Sequence, residues 1–187
     1  MERFDDIVAT AALAEEAAQT DAGGSVSGWR YRLAVVQHYR SVYRVAQAIL
    51  RDSAEAEDVT QETFVRYWQR GGGIERPREW LMKVARNGCL DRLRRSGRNV
   101  TGADDEVFDE PDNRDPAWHY EQRELAGELQ RAIARLKEPQ RSLVVLFDVQ
   151  GMSAAECARI VGLNVNQVKV YLHRARRRLR LELEGPR

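Results

Sequence analysis

Cysteine is scarce in this chain, and long apolar runs are absent. Its two cysteines, Cys89 and Cys157, lie far apart, and neither belongs to a paired motif. No disulfide framework and no zinc site follows from them, so two reduced thiols in a cytosolic protein are expected. No apolar stretch approaches the roughly 20 residues needed to span a bilayer, so no membrane insertion is expected. The first residues lack a basic region followed by an apolar core. Glu15 and Glu16 interrupt their alanine-rich run, which argues against a signal peptide. No metal cluster and no nucleophile–base set stands out. Gly71–Gly73 lacks the lysine and following hydroxyl of a phosphate-binding loop. Enzyme chemistry is therefore not expected, and no cofactor is.

Net charge is also nearly absent, at +1 over 187 residues, but it conceals local segregation. Residues 52–62 carry five acids and no base. Residues 76–98 carry eight Lys or Arg against Glu79 and Asp91, and residues 101–116 carry seven acids against one arginine. Such blocks point to separate surfaces for acidic and basic partners.

No segment alternates convincingly as a strand; Leu143–Phe147 is apolar enough to be ambiguous, but its neighbours are helical. The expected fold is all-α, with two small helical domains joined by an acidic linker, the C-terminal one a helix-turn-helix. Residues 1–28 form a flexible acidic N-terminal extension. The first domain spans 29–98, the linker 99–116 and the second domain 117–184. Within the first, a helix from about Trp29 to Leu50 places Leu33, Val36, Tyr43, Ala46 and Leu50 roughly on one side. Asp52 and Ser53 cap a second helix, about Ala54–Arg70, with acids in its first turn as the helix dipole favours. Gly71–Gly73 breaks it, and Arg76-Pro77 opens a third helix that runs to about Ser96 or Arg98. After the linker, helix resumes near Ala117 and continues to about Leu136. A break at Lys137–Pro139 leads into a helix holding Leu143–Val149.

The segment Gly151–Arg180 reads as two helices around a tight turn. Ser153 and Glu156 make a capping box, Gly162 ends the first helix, and Asn164 with Gln167 starts the second. Val168, Leu172, Ala175 and Leu179 share one face and should be buried. Asn166, Val170, His173 and Arg177 point the other way, flanked by Lys169, Arg174 and Arg180. Between Val165 and Arg180 there are six Lys or Arg and no acid. A solvated basic helix would share that charge. The caps, the glycine turn and the apolar stripe in one register favour a helix-turn-helix whose second helix enters the DNA major groove.

On the second helix, Ala56, Val59, Thr63 and Tyr67 line one side, and Phe64 and Trp68 widen the apolar arc. Asp58, Gln61, Glu62 and Gln69 lie opposite. Periodicity alone favours a plain amphipathic helix with a wet face over an acidic docking face. The order AEDVTQETFVRYW (Ala56–Trp68), EWLMKVARNGCLDRLRR (Glu79–Arg95) and then the helix-turn-helix changes that balance. Over about Trp29–Glu184 the chain resembles the bacterial RNA polymerase sigma factors of the extracytoplasmic-function type. The alternative is a helix-turn-helix transcriptional regulator with a helical sensor domain, but such a protein has no reason to carry the Ala56–Trp68 motif.

The resemblance implies a cytoplasmic, non-catalytic protein whose partners are core RNA polymerase (its beta and beta-prime subunits), promoter DNA and an anti-sigma factor. It implies that Asp58, Gln61 and Glu62 bind the polymerase. Asn87 matches the position that reads a flipped-out minus-ten base, a role an amide with donor and acceptor suits. A solvated polar residue is the plainer account of Asn87. Arg86, Arg92, Arg94 and Arg95 would lie near promoter backbone, whereas Trp80 is expected in the core. Lys169, Val170, His173 and Arg174 match positions that touch the minus-thirty-five element, and Arg176, Arg177 and Arg178 would include phosphate contacts. The acidic linker would run near the polymerase RNA channel, although a solvated tether is the simpler account. The chain departs from the pattern at Leu136-Lys137, where relatives often have Leu-Pro, and at Tyr171, where arginine is common. Its extension before Trp29 is also longer than usual.

Overall fold

The computed structural model describes residues 28–71, 73–97 and 126–184, and every regular element among them is helical. The expected extension up to Ser27, the whole linker 99–116 and residues 117–125 lie outside the described residues. Helices α1 (Gly28–Leu50), α2 (Ser53–Gln69) and α3 (Pro77–Arg95) pack on one another as a three-helix unit. Helix α4 (126–134), α5 (Gln140–Val144), α6 (Ala154–Val161) and α7 (Val165–Leu183) follow. Helix α5 runs straight into a wider π-helical turn, Val145–Val149, closed by Gln150 N donating to Val145 O at 2.9 Å. The Glu138–Pro139 peptide ahead of α5 is cis.

Local chemistry accounts for the boundaries. The Asp52 carboxylate accepts from Glu55 N at 2.9 Å and starts α2, and Pro77 fills the first position of α3. Helix α1 ends where Arg51 takes a φ of 59°, the left-handed conformation that glycine more often supplies. On α2 the buried set is Ala56, Val59, Thr60, Thr63, Phe64 and Tyr67. The two buried threonine hydroxyls donate to the carbonyls one turn back, at 2.7 Å each, so neither is left unsatisfied. Trp80 packs partly into this core, its ring 5.8 Å from that of Tyr67.

The expected stripe on α1 is only partly right. Leu33 and Val36 are exposed, whereas Tyr31, Ala34, Val35, Val42, Val45, Ala46, Ile49 and Leu50 are buried. With apolar residues on several sides, which face turns inward is settled by where α2 and α3 sit, and it lies one to two residues from the expected one.

The helix-turn-helix follows its caps. Ser153 and Glu156 exchange hydrogen bonds, and so do Asn164 and Gln167 at 2.8 and 2.9 Å. Gly162 takes a φ of 78° between α6 and α7. Val168, Leu172, Ala175 and Leu179 are all buried.

The two units are packed together, and their buried apolar side chains form one connected cluster from Tyr31 to Leu179. Polar ties cross the junction. Arg141 is buried and donates to the carbonyls of Ile49 at 3.1 Å and of Leu136 at 3.2 Å. Arg86 of α3 donates to Ser142 at 2.9 Å, Arg159 of α6 grips Glu79 through two bonds of 2.7 and 2.8 Å, and Arg78 donates to the Gln150 carbonyl. Leu172→Ala should destabilise the protein by about 2–5 kcal/mol, the range for a buried leucine truncation. Asn164→Ala should cost about 1 kcal/mol through the lost cap. Urea unfolding of the full chain measures both; the reverse order would contradict this account of the second unit.

Candidate functional site

Three surfaces carry chemistry. On α2, Asp58, Gln61 and Glu62 are exposed on one face. With Val65, Arg66 and Gln69 they line a shallow groove of about 370 Å³. Val65 was not evident as a surface residue from the pattern, yet it is 50% exposed in the middle of this polar face. The signal was present, since Val65 lies off the Ala56–Val59–Thr63–Tyr67 stripe. Arg92 reaches across from α3, 2.7 Å from Glu62 and 3.4 Å from Asp58. The structure therefore joins two sets of residues that the sequence assigned to different partners.

On α3, Asn87 is exposed, and Arg94 and Arg95 face solvent, with Arg94 paired to Asp91 at 2.7 Å. Arg86 differs from expectation. It is buried, directed at Ser142 and Glu138, and in this conformation is not presented to DNA. Helical periodicity puts Arg86 beside Asn87 but cannot reveal a second unit seated on that side. Burial pulls its guanidinium below the usual arginine range, and the neighbouring Glu138 opposes that shift. An open groove of about 750 Å³ lies alongside, with Trp80 in its wall and Arg70, Arg76, Lys83 and Arg159 around it. Its walls come from the ends of α2 and α3 and from α6, so only the glycine break before Arg76 hinted at it.

On α7, Lys169, Val170, His173, Arg174, Arg176, Arg177 and Arg178 are all exposed; Val170, His173 and Arg177 lie opposite the buried stripe and the others flank it. A basic face on a helix whose apolar face is packed into the core, and whose start is set by a capped glycine turn, is shaped to enter a major groove. Arg176 is tied back to the protein. It binds the Asp148 carboxylate and lies 5.3 Å over the Phe147 ring. The Asp148 hydrogen bonds hold its guanidinium above the usual arginine range.

A helix-turn-helix unit packed on a helical unit with an exposed acidic face on α2 fits a DNA-binding transcription protein. The sigma-70 region 2 family matches residues 34–99, and the sigma-70 region 4 family matches residues 126–179. The ECF RNA polymerase sigma factor SigM of Mycobacterium tuberculosis is 36% identical over 160 residues, covering 82% of this chain and 78% of that protein. SigL of the same organism is 36% identical over 158 residues, covering 79% and 85%. In fold the chain is also similar to the sigma factor RpoE of Bartonella quintana, solved in complex with the anti-sigma factor NepR. The TM-score is 0.66 and the identity 21%, over 84% of this chain and 99% of that one. The chain belongs to the extracytoplasmic-function sigma factors of RNA polymerase. It binds core polymerase and promoter DNA and directs promoter recognition at transcription initiation. The reading as a regulator with a sensor domain gives way to this one. Among the described residues no helix is long and apolar enough to cross a membrane.

Both cysteines are buried. Burial pushes the Cys89 thiol up to about 12 and the Cys157 thiol up to about 11. Neither should react with a disulfide reagent at pH 8 in the native protein, and both should react once it is unfolded. As pH rises past about 8.5, the unfolded chain sheds thiol protons that the native state keeps, so stability should fall there. Rapid labelling of the folded protein at pH 8 would contradict this.

Proposed function

We propose that the surfaces divide the work as follows. Asp58, Gln61 and Glu62, with Val65 as an apolar anchor among them, dock on the beta and beta-prime subunits of core polymerase. Asn87 reads a minus-ten base on the exposed strand, with Arg94 and Arg95 on nearby backbone. Arg92 and Arg86 join them when they leave their present carboxylate partners. Lys169, Val170, His173 and Arg174 read the minus-thirty-five element, and Arg176, Arg177 and Arg178 include the phosphate contacts. The observation that carries this reading is that the acids of α2 and the bases of α7 each form an exposed face of their own. Domain limits of 29–98 and 117–184, joined by 99–116, accommodate both. The protein acts in the cytoplasm as a binding factor without catalytic chemistry of its own. The complex of the relative RpoE with an anti-sigma factor supports a partner of that kind here.

Charge reversal at Asp58 and Glu62 together should lower affinity for core polymerase at least about tenfold. Both side chains are more than half exposed. Stability should change little, because exposed ion pairs contribute about 0–1 kcal/mol. Titration of labelled protein with core enzyme measures it, and unchanged affinity would remove the assignment.

On α7, Arg174→Ala should relax specificity at the minus-thirty-five element, since a good bidentate base contact discriminates by roughly 1–3 kcal/mol. Arg177→Ala should weaken all sites alike and lower the salt slope by about one unit. Binding of matched and scrambled duplexes across salt concentrations separates them. Equal losses on both duplexes for Arg174→Ala would mean that the helix holds DNA through charge alone.

A further inference from the structure

An ion pair poorly suited to holding domains together sits at their junction. Arg86 is 8% exposed. Its Nε donates to Ser142 Oγ at 2.9 Å, that hydroxyl donates to Glu138 Oε2 at 2.6 Å, and Arg86 Nη2 lies 3.5 Å from the same oxygen. The other carboxylate oxygen, Glu138 Oε1, is buried with no hydrogen-bond partner among the described residues. A buried ion pair repays its desolvation only when both groups are fully bonded. With one oxygen unmet, this pair contributes little net stability. It is better suited to exchanging partners than to fastening two domains.

The exchange has an obvious chemical form. A carboxylate and a phosphate offer a guanidinium the same pair of oxygen acceptors. Arg86 adjoins Asn87, whose exposed side is read above as promoter-facing, and Asn87 Oδ1 accepts from Arg86 Nη1 at 3.5 Å. The seating is completed at the first turn of α3, where Arg159 grips Glu79 and Arg78 meets the Gln150 carbonyl. Carboxylates hold three more arginines of the DNA-facing set: Arg92 with Asp58 and Glu62, Arg94 with Asp91, and Arg176 with Asp148.

We propose that in the protein on its own the C-terminal unit covers α3, with Glu138 occupying the place on Arg86 that a promoter phosphate takes when the two units part. The proposal rests on the reading of Arg86 as a promoter-backbone contact. In this closed form the basic face of α7 remains exposed, whereas the backbone contact of α3 is occupied from within.

The test uses the full chain with two readouts. One is the radius of gyration by small-angle scattering. The other is affinity for a fluorescein-labelled single-stranded DNA of random sequence, across salt concentrations. Glu79→Arg breaks the surface clamp without touching Arg86, and Glu79→Arg with Arg159→Glu re-forms it. Glu138→Gln removes the internal carboxylate charge. Glu79→Arg and Glu138→Gln should each expand the protein and raise DNA affinity several-fold. The dependence of log affinity on log salt should steepen by about 0.7, one single-strand phosphate. The swapped pair should return both readouts to parental values, and adding Arg86→Ala should cancel the gain. Parental compactness and affinity in both variants would overturn the proposal. So would expansion without a gain in affinity, or a gain that survives Arg86→Ala. Holoenzyme carrying Arg86→Ala, assayed for initiation on a random-sequence promoter pool, separates the two layers. Reduced initiation there supports the Arg86 reading, so that failure of the two readouts beside it overturns only the internal cover; unchanged initiation overturns both.

Discussion

A guanidinium taken out of water between two packed helical units has to find acceptors, and much of this structure is arranged around meeting that requirement. Arg141 meets it with backbone carbonyls, including that of Ile49 near the end of α1. Arg86 meets it with a serine hydroxyl and a carboxylate from the turn before α5. Both acceptor sets come from the other unit in whole or in part, so the burial of these charges and the docking of the units are one event. The surrounding apolar cluster supplies the non-directional attraction, and the arginines supply the orientation.

The same requirement governs the surface. The chain has 30 basic and 29 acidic residues. Its basic and acidic faces share one small molecule, so they lie within reach of each other. The α2 acids therefore meet Arg92, and Asp148 meets Arg176. Such pairs, exposed and screened by salt, add little to stability. They do reduce the number of unpaired cations available to arbitrary DNA. Lys169, His173 and Arg174 are exposed on α7 toward the side where a base edge would be read.

The π-helical turn after α5 links these features. Widening the helix by one residue carries Phe147 and Asp148 to where they meet Arg176, while Val145 and Leu146 stay in the core. Helix α7 is thus tethered on its basic side as well as packed on its apolar side. A rigid recognition helix is what base-edge readout requires.

The sequence by itself determined whatever depends on near neighbours. The paired caps at Ser153–Glu156 and Asn164–Gln167, the left-handed Gly162, the Asp52 cap and Pro77 all act within four residues, and each sits where local chemistry put it. The apolar stripe of α7 was equally legible, because only one face of that helix is apolar. The exposed residues Asp58, Gln61 and Glu62 followed from the same kind of pattern. Tertiary structure decided what depends on a distant surface. Leu33 and Val36 face outward because α2 and α3 take the other side of α1. Arg92 turns to α2, and Arg86 is buried under a turn more than 50 positions away in the chain. Periodicity reports which residues share a helix face. It carries no information on which of two apolar faces will be covered, or on which arginine of a basic run will be the one enclosed, because both depend on the shape of packing partners distant in the chain.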